Sequence, residues 1–224
     1  MAPIALRLLA LAAPASALVL SPGFEATLRA GMVHREVGFA PTRLVDDLRF
    51  DIAALEELER FAPAGSGPRG GESNGARSAA FADPIDRPRT VGCFDAFAAT
   101  WDRLDLVRCE LMEGLGRPLL EEVEVHYVRY PEGGFFSRHV DDSDDDDSDA
   151  AHRRSVSFVL FLNEPDSDWR ESDGGAFVEH PSGTAHLPDA GSLLLFDSVA
   201  VEHEVRPTRR ERTCLVGWFH TPTR

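Results

Sequence analysis

Two hydrophobic periodicities divide this chain. Between Leu44 and Phe61, residues Leu44, Leu48, Ile52, Leu55 and Leu58 recur every three or four positions. That spacing lines apolar side chains along one stripe of an α-helix. Phe97, Trp101, Leu104, Val107, Leu111 and Leu115 repeat it across Phe94 to Leu115, where Gly114, Gly116 and Pro118 supply a stop. From Glu121 the period shortens to two, with Val123, Val125 and Tyr127 alternating with polar neighbours, as on a half-buried strand. Strand-like runs follow at Phe135–Val140, Ser155–Leu162, Ala176–Glu179, Ala185–Leu187, Ser192–Phe196, Glu204–Arg206 and Arg212–Phe219. Turn residues separate them at Asn163-Glu164-Pro165, Asp173-Gly174-Gly175, Pro181-Ser182-Gly183 and Asp189-Ala190-Gly191. Two helices followed by about eight short strands predict a mainly β fold with supporting helices, an antiparallel double sheet.

This pattern organises the chain into three parts. Residues 121–222 form the β core and residues 23–120 a helical support region, in which Ala62 to Ser78, rich in Gly, Ser, Pro and Arg, reads as a flexible loop. Residues 1–22 stand apart, with one Arg and no acidic residue. Arg7 and Pro14 interrupt the apolar run from Ile4 to Leu20, so no membrane span is expected. Ala15-Ser16-Ala17 resembles a signal-peptidase site, and the acid-free composition also suits an organellar transit peptide. A disordered N-terminus on a cytoplasmic protein is the alternative, and the compartment stays open.

Composition narrows the partners. The chain of 224 residues carries a formal net charge of -15, which argues against a general nucleic-acid or anionic-membrane surface. Seven of its aspartates crowd into Asp141 to Asp149. That run either steers a basic peptide or is a solvated loop, and no register of it gives an EF-hand. Cys93, Cys109 and Cys214 show no C-x-x-C spacing, so separate thiols are expected, with a Cys93–Cys109 bridge as the alternative in a secreted protein.

The candidate chemistry begins at His139-Val140-Asp141. On a strand, residues separated by one position share a face, so this imidazole and carboxylate can grip one side of a metal ion. A second histidine would complete a 2-His-1-carboxylate face, which suits non-haem Fe(II) because positions stay open. Of the eight histidines, His203 is best placed, following the apolar run Leu193 to Phe196. His180 and His186 flank a turn without a matching carboxylate, since Glu179 points to the other face. His34, His126, His152 and His220 read as surface or hydrogen-bonded polar residues. Arg212 opens an otherwise apolar strand and is costly to bury alone. Either a bound carboxylate satisfies it, or Glu211, Glu204 or another acid does.

The ordered pattern Tyr130-Pro131…His139-Val140-Asp141…Phe161-Leu162-Asn163…Gly174-Gly175…Leu195-Phe196…His203-Glu204-Val205-x-Pro207…Arg212…Trp218-Phe219 resembles the Fe(II)/2-oxoglutarate dioxygenases, in particular their prolyl 4-hydroxylase-like branch. The resemblance runs from about Val123 to Phe219. It implies a double-stranded β-helix, or jelly roll, with Fe(II) held by His139, Asp141 and His203. It implies that Arg212 takes the distal carboxylate of 2-oxoglutarate and that Tyr130 reaches the cosubstrate or metal-bound water. Thr213 and Cys214 would complete the pocket. The implied reaction consumes O2 and hydroxylates an unactivated C–H, foremost of a prolyl residue in a protein or peptide, giving succinate and CO2. Ascorbate would serve as reductant. The alternatives are a dioxygenase of the same fold acting on a small molecule or another side chain, a non-catalytic metal-binding jelly roll, and a zinc hydrolase. Two departures stand out. Phe161 occupies a position where this branch often carries a Tyr that touches the distal carboxylate, and Thr213 or water is the expected substitute. The acidic run after Asp141 is also longer than usual for the branch.

Overall fold

Both helical stripes are realised, and the period-two region folds into two facing sheets. The computed structural model describes residues 19–64, 78–81, 89–142 and 152–222. In chain order these form α1 (Phe24–Arg29), β1 (His34–Glu36), α2 (Thr42–Glu57), β2 (Ala62–Pro63), β3 (Ser78–Phe81), α3 (Phe94–Leu115), β4 (Val123–Tyr130), β5 (Phe136–His139), β6 (His152–Phe161), β7 (Phe177–Glu179), β8 (Ala185–His186), β9 (Leu193–Asp197), β10 (His203–Val205) and β11 (Arg212–Pro222). The larger sheet has the order β1-β9-β6-β11-β4-β3-β2, and the smaller one β5-β10-β7-β8. Every pairing is antiparallel. The result is a double-stranded β-helix, a jelly roll with helices backing one sheet.

Alternation along the central strands explains the layering. Val125 and Tyr127 of β4, Phe158 and Leu160 of β6, Leu193 and Leu195 of β9 and Leu215 of β11 pack against the helices. Their neighbours one position away, Val128, Val159, Phe161, Leu194, Phe196 and Cys214, pack between the sheets with Phe136, Phe177 and Val205 of the smaller sheet. Buried on both faces, these strands read as nearly continuous apolar runs. Helix α3 stops where Gly116 adopts φ 66° and returns its N–H to the Met112 carbonyl. Leu48 of α2 and Leu111 of α3 are fully buried against the sheet, each contributing roughly 1.5–3 kcal/mol of apolar burial.

The structure departs from expectation in the support region. The six-residue helix α1 is anchored by Phe24 and Leu28, and β1 extends the larger sheet by pairing with β9. The segment expected to be a loop from residue 62 contributes β2 and leads into β3, which pairs with β4. A division at residue 120 therefore cuts across the sheet. Residues 65–77 of that loop, residues 1–18 of the expected targeting segment, and 143–151, which hold most of the aspartate run, lie outside the described residues. Cys93, Cys109 and Cys214 are all free thiols, so the alternative bridge does not form. Among the described residues, no helix is long and apolar enough to cross a membrane.

Candidate functional site

The register of β5 against β10 builds the first part of the site. His139 and His203 are directly opposed Cα partners, and their ring centroids lie 4.2 Å apart. The chain leaves β5 with the Asp141 and Asp142 N–H groups both donating to the Ser198 carbonyl, at 3.1 and 3.0 Å. This clamp to the turn after β9 swings the Asp141 carboxylate back over the histidines. Its Oδ1 lies 3.5 Å from His139 Nε2 and 3.8 Å from His203 Nε2. The three candidate ligand atoms lie within 4.8 Å of one another. All three residues are buried.

Surrounding groups set the orientation and charge of this triad. His139 Nδ1–H donates to the Ser137 carbonyl at 2.8 Å, and His203 Nδ1–H to the Val201 carbonyl at 3.1 Å. Because a carbonyl only accepts, each proton sits on Nδ1 and each Nε2 lone pair faces the centre. Phe177 stacks on His203 at 4.7 Å, and Phe136 packs on His139 at 3.9 Å. Burial, reinforced by the neighbouring His139 and opposed by Asp141, pushes His203 down to about 4, keeping it neutral. Burial alone would raise the Asp141 carboxyl, but positive charge on the His203 and His139 rings, when they are protonated, and a hydrogen bond from Ser157 overcome it and hold Asp141 well below the usual carboxylate range. Two imidazoles and one carboxylate with converging ligand atoms could hold a divalent cation and leave positions open on it.

The triad lies in a small, partly open cavity whose walls include Tyr130, Phe177, Phe196, Arg212, Cys214 and Trp218. Arg212 is 1% exposed. Its guanidinium lies over the Tyr130 ring at 4.8 Å and the Phe161 ring at 5.2 Å. Nη1 donates to Cys214 Sγ at 3.5 Å, and Nε is buried without a partner. The acids that might have neutralised it are engaged elsewhere. Glu211 pairs with Arg129, and Glu204 lies against His180 and Arg206. Among the described residues no carboxylate pairs with Arg212, and a buried, uncompensated guanidinium fits an incoming carboxylate.

Backbone geometry fixes where this cation sits. Asn163 accepts the Thr213 N–H at 2.8 Å while donating to the Pro188 carbonyl at 2.6 Å, clamping the start of β11 to the end of β6. Gly175 has φ +69°, a conformation that favours glycine, and a Cβ there would come 3.0 Å from Thr208 Oγ1 and 3.2 Å from Arg212 Cδ, pressing on the arginine stem.

The seven site residues singled out from sequence do not all converge. His139, Asp141, His203, Arg212, Tyr130 and Cys214 line one cavity. Thr213 does not. It turns to the helix side and lines a separate depression with Arg49, Ile52, Ala53, Glu56, Arg129 and Glu211. Period two makes this unavoidable, because adjacent strand residues face opposite ways. Thr213 is therefore no substitute for the hydroxyl absent at Phe161. His186 and His180 stay apart, His186 bonding Glu179 at 3.4 Å. His126 and His220 surround Glu124, and His34 pairs with Glu36.

Two supporting residues escaped the sequence reading. Ser157 was visible as a lone hydroxyl in the apolar run of β6, on the same face as Val159 and Phe161. Arg154 donates to the backbone carbonyl of Asp141 at 3.3 Å, lies 3.7 Å over the Trp218 ring and is bound by the Glu124 carboxylate. Its position beside the aspartate run disguised that role.

The comparisons with known proteins agree with this geometry. A family model described as the 2OG-Fe(II) oxygenase superfamily matches residues 125–220. A PKHD-type hydroxylase of Maricaulis maris is 33% identical over 135 residues, covering 54% of this chain and 57% of its own. The chain spans about half the length of such curated relatives, including one from Parvibaculum lavamentivorans of which it covers 51%. The crystal structure of a Pseudomonas putida prolyl-4-hydroxylase superposes with a TM-score of 0.71 at 30% identity, over 89% of this chain and 97% of that one. A prolyl hydroxylase from Trichoplax adhaerens, solved with a hypoxia inducible factor peptide fragment, shares the fold with a TM-score of 0.71 at 20% identity, over 88% of this chain and 87% of that one.

Proposed function

Because this chain belongs to the 2OG-Fe(II) oxygenase superfamily, we propose that it is a 2-oxoglutarate-dependent dioxygenase that hydroxylates a prolyl residue of a protein or peptide. The observation that carries this reading is the presence, in one cavity, of the buried His139, Asp141 and His203 triad and of Arg212, which has no carboxylate partner among the described residues. A structural zinc site or a hydrolase would have no use for the second feature.

Each residue has a task on this reading. Bound Fe(II), with 2-oxoglutarate and O2, supplies the oxidising chemistry, and the cosubstrate leaves as succinate and CO2. His139 and His203 present Nε2 to the metal, held there by their Nδ1 hydrogen bonds. Asp141 would add one negative charge to the ligand set, so that a bound Fe(II) would keep a net positive charge suited to an anionic 2-oxo acid. Arg212 binds the far carboxylate and sets the angle at which the other end arrives. Phe161 and Tyr130 cover the guanidinium, while Phe177, Phe196 and Val205 exclude water from the reacting centre. Tyr130 is placed to touch the cosubstrate.

The prolyl assignment draws support from the P. putida prolyl-4-hydroxylase and the PKHD-type relatives. The net charge of -15 favours a basic peptide. Ascorbate serves as reductant, and the acid-free N-terminus carries a targeting signal. The test is to incubate the protein with Fe(II), 2-oxoglutarate, O2 and a panel of proline-containing peptides. The expected result is succinate release coupled to a one-oxygen mass gain on a prolyl residue. Coupled turnover on a non-prolyl substrate would keep the chemistry and discard the peptide assignment. Turnover that survives His139→Ala would discard the metal assignment.

A further inference from the structure

Between β9 and β10 the chain turns through residues 198–202, and this turn supports two of the three triad members. The Ser198 carbonyl accepts the Asp141 and Asp142 N–H groups at 3.1 and 3.0 Å. Three positions on, the Val201 carbonyl accepts His203 Nδ1–H at 3.1 Å. The placement of Asp141 and the ring angle of His203 therefore both depend on where this turn sits. His139 is independent of it, because its Nδ1–H goes to the Ser137 carbonyl on its own strand.

Asp197 holds the turn together. Its Oδ1 accepts the Val199 and Ala200 N–H groups at 3.1 and 3.0 Å, and its carbonyl accepts the Val201 N–H at 3.2 Å. A short carboxylate that bonds its own backbone a few residues on is a turn-forming device, and here one residue gathers three consecutive N–H groups. The second carboxylate oxygen, Oδ2, accepts from Arg117 Nη1 at 2.6 Å, a charge-assisted bond that fixes the direction of the carboxylate. Arg117 directly follows Gly116, the residue that ends α3, so the ion pair ties the helical layer to the turn. Ser198 adds a second hold, its Oγ lying 2.9 Å from Ser157 Oγ with both residues fully buried. The Arg117 side chain is 40% exposed, so the pair contributes little to global stability. Its effect is local, on the turn.

We infer that Asp197 is a positioning residue for the metal site, and that with Arg117 behind it Asp197 fixes the turn whose carbonyls aim Asp141 and His203. The inference rests on the reading of His139, Asp141 and His203 as metal ligands. Asp197 acts on two of them through the backbone and not by contact with the cation. Groups that orient ligands from outside the coordination sphere change metal affinity by about 10–100-fold.

The experiment uses the full chain, freed of metal, with Mn(II) as the probe of affinity and Co(II) as the probe of ligand geometry. Asp197→Ala should weaken Mn(II) binding by about 10–100-fold and shift the visible absorption bands of Co(II), because two ligands lose their aim. Arg117→Met should weaken Mn(II) binding several-fold, and Arg117→Lys, which keeps the cation, should restore most of that loss. Val107→Ala is the control for stability alone, since it removes buried apolar volume from α3. It should lower the urea midpoint and leave both the Mn(II) affinity and the Co(II) bands as they are. Wild-type affinity with unchanged bands in Asp197→Ala overturns the inference, and so does an equal loss of affinity in Val107→Ala. Should Asp197→Ala fail to fold, Arg117→Met and Arg117→Lys carry the test, and no loss in the first or no recovery in the second overturns the inference. Failure of the underlying reading looks different. If the unaltered chain does not bind Mn(II), or His139→Ala binds it as tightly, the triad is not a metal site and the role of Asp197 falls with it.

Discussion

At Arg212, folding and binding pull in opposite directions. Among the described residues the buried Arg212 guanidinium has no carboxylate partner, an arrangement that costs stability. Aromatic faces on Tyr130 and Phe161 and the Cys214 sulfur offset part of that cost. Replacing the cation by an apolar side chain of similar length therefore separates the two roles. Arg212→Met should leave the thermal midpoint of the metal-free protein unchanged or raised. The same variant should weaken 2-oxoglutarate binding by about 30–100-fold, equivalent to losing charge-assisted hydrogen bonds worth roughly 2–3 kcal/mol. Calorimetric titration and thermal unfolding read the two effects. Lower stability with unaltered binding would make Arg212 a structural cation and remove the anchor. Gly175→Ala offers a milder perturbation from the other side. Its Cβ would press on Thr208 and on Arg212 Cδ at a φ of +69°, costing about 1–3 kcal/mol and raising the KM for 2-oxoglutarate as the stem shifts.

Among the elements, the pairing of β5 with β10 matters most. Four residues of β5 and three of β10 bring His139 and His203 face to face, and a slip of one residue would turn one of them out of the cavity. With three converging lone pairs and no strong contact between ligands, a bound cation should tie this short pairing together. Saturating Mn(II), at about 100 times its Kd, should stabilise the fold by about 2.7 kcal/mol, a rise in thermal midpoint of roughly 5–11 °C for a domain of this size. His139→Ala should abolish the rise, and a shift that persists in that variant would place the cation elsewhere. The strands that form this site were visible in sequence because their alternation is strong or because they are apolar on both faces, as in Leu193 to Phe196. The elements that were missed lack such a signal. Helix α1 is shorter than two turns, β1 reads His34-Arg35-Glu36, and β3 follows a stretch rich in Gly and Ser. Edge strands are shaped by the neighbour they pair with more than by their own side chains. The triad was legible from the H-x-D spacing, although Asp141 lies past the end of β5 and owes its place to the clamp on the Ser198 carbonyl rather than to strand alternation. The solitude of Arg212 was not, because Glu211 and Glu204 stand close in sequence and only the fold commits them to other partners.

For the molecule as a whole, acid should weaken the fold well before its carboxylates are neutralised. Burial pushes His186 down, with Glu179 partly opposing it, and burial together with His152 pushes His220 down. Each is thus depressed in the folded protein relative to the usual 6.5. Between that value and the folded one the unfolded chain binds more protons, so the stability these groups contribute is complete above about pH 6.5 and drains away as the pH falls. Glu124 follows at lower pH. Burial would raise it, but the hydrogen bond with His126 and the Arg154 guanidinium prevail and hold it below its usual 4.5, so its contribution is lost only in the acid range beneath that. Relief of self-repulsion works against this trend, since a net charge of -15 disfavours compactness, yet few carboxylates titrate between pH 7.5 and 5.5. In that window the histidines decide the sign. The urea midpoint should fall from pH 7.5 to 5.5 with the slope of the transition unchanged, and His220→Gln should flatten the dependence. A midpoint that holds or rises on acidification would mean that self-repulsion outweighs the buried imidazoles and that these two rings reach water more freely than their packing implies.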